Sequence, residues 1–263
     1  MLEQMTERII MIDAHIHLSD KRFDSDRDIL LSQAQEAGVK GFFSVSTRPE
    51  EWSKTMALSR KCSAIRPFIG THPWYASHHD DVLLKRMLIS SPTAGVGEIG
   101  LDSLKGEQTQ ESVFENQLII AAELNRPCVI HCVKSFDMIA AILKRLKTKP
   151  SALLFHGFSG TLSQADFLSR FNAYFSFSGS VLKENKDKLR AVLAALPADR
   201  LLAETDAPDM LPPEKYRRPD RNGRNIPVNL PLIIQGISDI RGVDAPSLTS
   251  LLHENAERFL SGK

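Results

Sequence analysis

"IIMIDAHIHL", residues 9–18, places Asp13, His15 and His17 at every second position of an otherwise apolar run. Successive side chains of a strand alternate between faces, so Ile9, Met11, Asp13, His15 and His17 share one side, and Ile10, Ile12, Ala14, Ile16 and Leu18 the other. The second side is apolar throughout. The first opens with Ile9 and Met11 as filling and ends in a carboxylate and two imidazoles, groups that are costly to bury unless something satisfies them. A lone His-x-His suits a surface loop or a hydrogen-bonded core as readily as a metal site at a strand's end. The rest of the chain has to decide.

Short β-rich runs recur downstream: "GFFSVST" from Gly41, "RPFIGTH" from Arg66, "AGVGEIG" from Ala94, "PCVIHC" from Pro127, "ALLFHGF" from Ala152, "AYFSFSG" from Ala173 and "RLLAETDAP" from Arg200. With the opening stretch they make eight. Segments of helical periodicity lie between them, among them "DILLSQAQEAG", "PEEWSKTMALSRK", "ESVFENQLIIAAELN", "SFDMIAAILKRLK" and "KLRAVLAALP". Strand and helix alternate from start to finish, the order of parallel βαβ units, and eight of them in 263 residues predict a (β/α)8 TIM barrel as one domain over residues 1–263. A doubly wound sheet would want a Gly-x-Gly-x-x-Gly or a Walker-type loop after a strand, and neither is present. "VNLPLIIQGISDI" and "PSLTSLLHENAERFL" are expected to complete the outer helical layer.

The opening pattern repeats when the other runs are read by parity. Phe68 precedes His72, Val96 precedes Glu98, Val129 precedes His131, Leu154 precedes His156, and Leu202 precedes Glu204 and Asp206. Apolar residues lead and the polar one comes last, so in a barrel the polar ends converge at the C-terminal mouth, where active sites sit. Imidazoles with carboxylates and no thiolate suit zinc, manganese, iron or nickel, and magnesium where oxygen dominates. The donors exceed the needs of one four-coordinate ion but would serve two, which points to hydrolysis by an activated water. Cys128 and Cys132 flank His131 with opposite parity and are expected beneath helices rather than on a metal.

With "DAHIH", "GTHP", "GVGEIGLD", "PCVIHC", "HGFSG" and "ETDAP" in this order, the sequence resembles the TatD family of metal-dependent deoxyribonucleases and related hydrolases, within the amidohydrolase-like barrels. The resemblance implies two divalent cations (Mg2+, Mn2+ or Zn2+), one on His15, His17 and Asp206 and the other on His131 and His156, with Glu98 bridging. It implies single-stranded DNA as substrate of an exonuclease, with a small amide, lactone or phosphoester as the competing substrate class. Asp206 is then the acceptor of the water proton, His72 a contact to the phosphate or leaving oxygen, and Asp13 and Glu204 supports that orient the ligand histidines. Where the family commonly carries Arg, two positions after the fifth-strand histidine, this chain has Val133, with Lys134 beside it as a substitute contact. Arg217, Arg221 and Arg224 of "EKYRRPDRNGRNIP" are expected to form a basic rim, with Trp74 and Tyr75 available to stack on bases.

A formal net charge of +1 supplies no global pull towards nucleic acid, so recognition must be local. No apolar stretch approaches the ~20 residues of a membrane span, and no membrane or obligate protein partner is expected. Three cysteines without Cys-x-x-Cys spacing, and no secretory pattern in "MLEQMTERIIMIDAH", lead to a cytoplasmic expectation.

Overall fold

The structure, a computed structural model, describes residues 10–262. Eight strands, β1 (Met11–Ile16), β2 (Val39–Val45), β3 (Ile65–Ile69), β4 (Gly95–Asp102), β5 (Cys128–Val133), β6 (Leu153–Phe155), β7 (Ala173–Phe177) and β8 (Leu201–Ala203), pair in parallel in sequence order. Nine α-helices among the described residues surround them: α1 (Arg27–Glu36), α2 (Pro49–Lys61), α3 (Asp81–Ile89), α4 (Gln110–Glu123), α5 (Phe136–Arg145), α6 (Leu162–Ser169), α7 (Asp187–Ala195), α8 (Leu230–Arg241) and α9 (Ala245–Ser261). This is the (β/α)8 TIM barrel that the alternation of patterns predicts.

Closure comes from the segment after β8. The Asp206 N–H donates to the His15 carbonyl at 2.9 Å, and the His17 N–H to the Ala207 carbonyl at 2.9 Å. Asp13 staples the same seam, its carboxylate accepting from the Thr205 N–H at 2.9 Å and the Thr205 hydroxyl at 2.6 Å. Asp13 also accepts from the His15 N–H at 3.4 Å and makes no hydrogen bond to an imidazole ring among the described residues, so its expected orientation of the ligand rings is corrected: it holds the backbone that carries them.

Two apolar clusters separate inside from outside. The inner one joins Ala14, Phe43, Val45, Phe68, Val129, Leu154, Tyr174 and Leu202 to Ala256 and Phe259 of α9. Phe259 lies 5.7 Å from the Phe43 ring, 6.0 Å from Phe68 and 5.7 Å from Tyr174, so α9 plugs the barrel as well as packing outside it. The outer cluster takes the alternate strand residues and the helix faces.

Strict alternation fails in two strands. Pairing of β1 with β2 shifts register twice, between Met11 and Ile12 and between Asp13 and Ile16. Ile12 and Ala14 accordingly pack in the inner cluster and Met11 in the outer one, the reverse of the sequence expectation. The Ile9 assignment lies outside the described residues. β4 shifts between Val96 and Ile99, which puts Val96 outside although Glu98 reaches the mouth. In the same strand Gly100, at φ +149°, sits so close to β5 that a Cβ would overlap the His131 carbonyl oxygen. No helix among the described residues is long and apolar enough to cross a membrane.

Candidate active site

Each donor of the mouth is held by its own strand end. His15 is the last residue but one of β1 and His17 directly follows the strand; His131 lies in β5, and His156 comes directly after β6. Asp206 stands three residues past β8 at φ +57°, a left-handed backbone that Asp tolerates better than most residues. Side-chain hydrogen bonds from elsewhere fix the loops. Gln117 of α4 accepts from the Thr71 N–H at 2.8 Å and donates to the Thr71 carbonyl at 3.0 Å, holding the backbone just before His72. Buried Asn225 donates to the Thr205 carbonyl at 2.6 Å and accepts from Asn229 at 2.8 Å, bracing the turn that carries Asp206.

Glu98 occupies the centre, nearly sealed from solvent. Its Oε1 faces His131 Nδ1 at 2.9 Å, His156 Nε2 at 2.8 Å and His72 Nε2 at 3.3 Å. Its Oε2 faces the other pair, His15 Nε2 at 3.5 Å and His17 Nε2 at 3.7 Å. Asp206 Oδ1 lies on that second side, 3.6 Å from His15 Nε2 and 3.3 Å from His17 Nε2. The two carboxylate oxygens thus face different histidines, His72, His131 and His156 on the Oε1 side and His15 and His17 on the Oε2 side.

The arrangement fits divalent cations. His15 and His17 bring their Nε2 atoms to 3.2 Å, close to the spacing of two nitrogens that share one tetrahedral cation. The Nδ1–H of His17 donates to the Val45 carbonyl at 3.2 Å, so Nε2, which points at the carboxylates, is the nitrogen that would ligate a cation on losing its proton. Five carboxylates (Asp20, Glu51, Glu98, Asp206, Asp209) and two guanidiniums (Arg22, Arg48) line the cavity, a formal −3 with neutral histidines, which two divalent cations would turn to +1. Three overlapping groups of these donors, His15–His17–Glu98, His15–His156–Asp206 and His72–Glu98–His131, each lie within 4.8 Å and could hold an ion.

Protonation follows the same opposition. Burial would raise the Glu98 carboxyl, but the facing His156 and His72 charges and the His131 and His15 hydrogen bonds hold it well below its usual range. Burial works against charge on His17, yet the Asp206 hydrogen bond and Glu98 raise it to about 9. His156 is likewise raised, against burial, by Glu98 and Glu204. Burial and the neighbouring His156 charge push His15 down to about 4, and burial lowers His72. Glu204 stands behind His156, its Oε1 3.8 Å from Nδ1, and accepts from the Gly157 N–H at 2.8 Å and from the Ser176 hydroxyl.

Above this floor opens a cavity of about 690 Å³ lined by His17, Glu98, His131, His156 and Asp206 together with His72, Trp74 and Tyr75, while His15 lies beneath it. The expected basic rim is not part of that lining. Arg224 is buried, its guanidinium held by Asp26 at 2.6 Å and Asp220 at 2.9 Å and stacked on Phe23, so it anchors the loop and has no face left for a substrate phosphate. Lys134, Arg217 and Arg221 lie outside the lining, whereas Val133 and Cys132 form part of the wall. Cys128 packs in the core as expected. Cys132 departs from its expected place by also facing the cavity, with burial raising its thiol to about 11. Reading the sequence alone misses Arg22, Arg48 and Asp102. Asp102 accepts from the Trp74 indole at 2.7 Å and faces His131 Nε2 at 3.4 Å, and its place at the end of "GEIGLD", after the strand's apolar run, was the available signal.

Fold and site together define a (β/α)8 barrel with buried imidazoles and carboxylates gathered at the C-terminal mouth. The family described as TatD related DNase matches residues 12–261. The 3'-5' ssDNA/RNA exonuclease TatD of Erwinia tasmaniensis is 32% identical over 262 residues, 95% of this chain and 100% of the relative. Its namesake from Pantoea ananatis is 34% identical over 260 residues, 95% of this chain and 98% of the relative. Among solved structures, YJJV, a TatD homologue from Escherichia coli, superposes with a TM-score of 0.85 at 28% identity, over 95% of this chain and 97% of that one. The chain belongs to the TatD family and is a hydrolase acting on ester bonds.

Proposed function

We propose that residues 1–263 form one domain that works as a metal-dependent phosphodiesterase, removing nucleotides from single-stranded DNA. Two divalent cations would be held by His15, His17 and Asp206 on one side and His131 and His156 on the other, with Glu98 between. The observation that carries this reading is the division of donors between the two oxygens of Glu98. The exonuclease names of the relatives support the substrate class.

Cations bound there supply the positive charge that polarises a phosphodiester and lowers the pKa of water. The protein's own groups do the rest. Asp206, whose side chain is 12% exposed to the cavity, accepts the proton of the attacking water. His72 accepts the Trp74 N–H on Nδ1 at 3.1 Å, so its neutral ring carries the proton on Nε2 and donates there to a phosphate or leaving oxygen. Glu204, a carboxylate fixed by Gly157 and Ser176, sets its negative charge 3.8 Å behind His156 Nδ1 and so favours the ring with its Nε2 towards Glu98.

End-labelled single-stranded DNA incubated with metal-reconstituted protein should shorten, and the Glu98→Ala, His131→Ala double variant should leave it intact. Equal behaviour of the two proteins would sink the nuclease reading. A second reading, a hydrolase of small amides, lactones or phosphoesters, draws on the apolar wall of Cys132, Val133 and Met210 and on the absence of the expected rim cations from the lining. Turnover of a small ester with intact DNA would select it.

A further inference from the structure

Two guanidiniums line the cavity, and they differ in what is left of them. Arg22 is spent: its Nε and Nη2 bind Asp20 at 3.1 and 2.7 Å, and its Nη1 and Nη2 bind Asp209 at 2.9 and 2.7 Å. Arg48 gives only Nε to a carboxylate, Glu51 Oε1 at 3.0 Å, and its Nη1 and Nη2 have no hydrogen-bond partner among the described residues. Glu51 is itself fixed, its other oxygen accepting from the Thr47 N–H at 2.9 Å and the Thr47 hydroxyl at 3.0 Å. The Nη edge of Arg48, the edge that binds a phosphate with two parallel hydrogen bonds, is therefore aimed by its neighbours and unused. The guanidinium rests 4.7 Å above the ring of half-buried Tyr75, whose centroid is 6.4 Å from that of His72.

We infer that Arg48 and Tyr75 form a nucleotide subsite beside the reaction centre, Arg48 taking the phosphate next to the scissile one and Tyr75 the base. The inference rests on the phosphodiesterase reading above and names how that site recognises more than one nucleotide. Arg48 covers the Tyr75 face when no strand is bound, and moving its Nη edge onto a phosphate opens that face to a base, a stacking surface that tolerates any sequence. Glu51 holds the side chain at the Nε edge, so the contact adds direction as well as charge. Trp74, 39% exposed, tethered to Asp102 and covered by Lys105 at 4.8 Å, repeats the cation-on-aromatic design on the same mouth.

The test uses the metal-reconstituted full chain on two substrates: end-labelled single-stranded DNA, and bis(p-nitrophenyl) phosphate, a diester with no neighbouring phosphate. Arg48→Ala should raise KM for the DNA about ten-fold with kcat and small-diester hydrolysis unchanged. Arg48→Lys should fall between, because it keeps the charge and loses the fork. Fluorescence anisotropy of a labelled oligonucleotide in EDTA should show the same loss of affinity for Arg48→Ala, with the log–log salt slope shallower by about 0.7. Arg60→Ala, exposed on α2, the helix that Arg48 precedes, controls for bulk charge. An unchanged KM, or an equal loss on both substrates, would overturn the subsite. Wild-type protein that hydrolyses the small diester and leaves DNA intact would instead overturn the nuclease reading, and the subsite with it.

Discussion

Two layers of the same barrel are filled by the same strands with opposite kinds of side chain. The lower layer is apolar and closed from below: Phe43, Phe68, Val129, Leu154, Tyr174 and Leu202 meet Phe259 of α9. The upper layer is His15, His17, His72, Glu98, His131, His156 and Asp206. Val129 is followed two residues on by His131, and Leu154 by His156, so a single step along a strand passes from one layer to the other. The lower layer gains from leaving water. The upper one holds titratable groups out of water and is satisfied only in part by its own members, since His15 Nδ1 and His156 Nδ1 are buried without a hydrogen-bond partner. Rigidity below lets a poorly satisfied arrangement persist above.

That division can be broken from either side. The largest effect is expected from Glu98→Gln, nearly the same size but without the charge that faces all five histidines of the mouth. Loss of several kcal/mol of transition-state stabilisation lowers kcat at least about a thousand-fold. Circular dichroism should find the fold intact, and a variant retaining a tenth of the activity would remove Glu98 from the centre of the chemistry. Phe259→Ala works from the other side. It empties the plug among Phe43, Phe68 and Tyr174 and should cost about 3–5 kcal/mol of stability by urea unfolding, with kcat per folded molecule within two-fold, roughly the spread expected for a site it does not touch. A large fall in kcat at a temperature where the variant is folded would show that the layers are not independent.

The strands that bear one donor each in regular register, β5 and β6, were legible because alternation alone puts Val129 with His131 and Leu154 with His156. β1 and β4 were legible in their donors but not in their filling. Register shifts at Met11, Asp13 and Val96 reverse the faces of residues that parity assigns, and a shift of pairing leaves no mark in the composition of the strand. Asp13 shows the same limit: a buried carboxylate near ligand histidines reads as their support until its partner, Thr205, is seen across the closing seam, 192 residues away. The plug formed by α9 was hidden for a different reason. Its apolar face has helical spacing whether it meets the barrel wall or the barrel's open end.

Arg224 tests the loop rather than the layers, with a smaller effect. Its buried guanidinium bridges Asp26 and Asp220, and the hydrogen bond from Arg224 lowers the Asp220 carboxyl. A carboxylate with a lowered folded-state pKa adds stability above its unfolded value of about 3.9 and loses it as pH falls through the folded one. Arg224→Gln should therefore cost about 1.5–3 kcal/mol at pH 7 and flatten the fall in stability below about pH 4. An unchanged acid limb in urea titrations would mean that the pair does not anchor the loop.

The smallest effect is expected at the cations that composition makes most conspicuous. Arg217 and Arg221 lie outside the cavity lining, Arg221 is exposed, and no side-chain hydrogen bond or ion pair fixes either of them among the described residues. A phosphate contact from a mobile side chain in high dielectric is weak and is screened beyond ~8 Å at physiological ionic strength. The Arg217→Ala, Arg221→Ala variant should therefore change KM for single-stranded DNA less than about two-fold at 0.15 M salt, with any difference appearing only at low salt. A ten-fold rise in KM at 0.15 M salt would mean that the strand leaves the mouth across this loop, so that the charge density of the sequence, rather than the cavity wall, marks the path of the substrate.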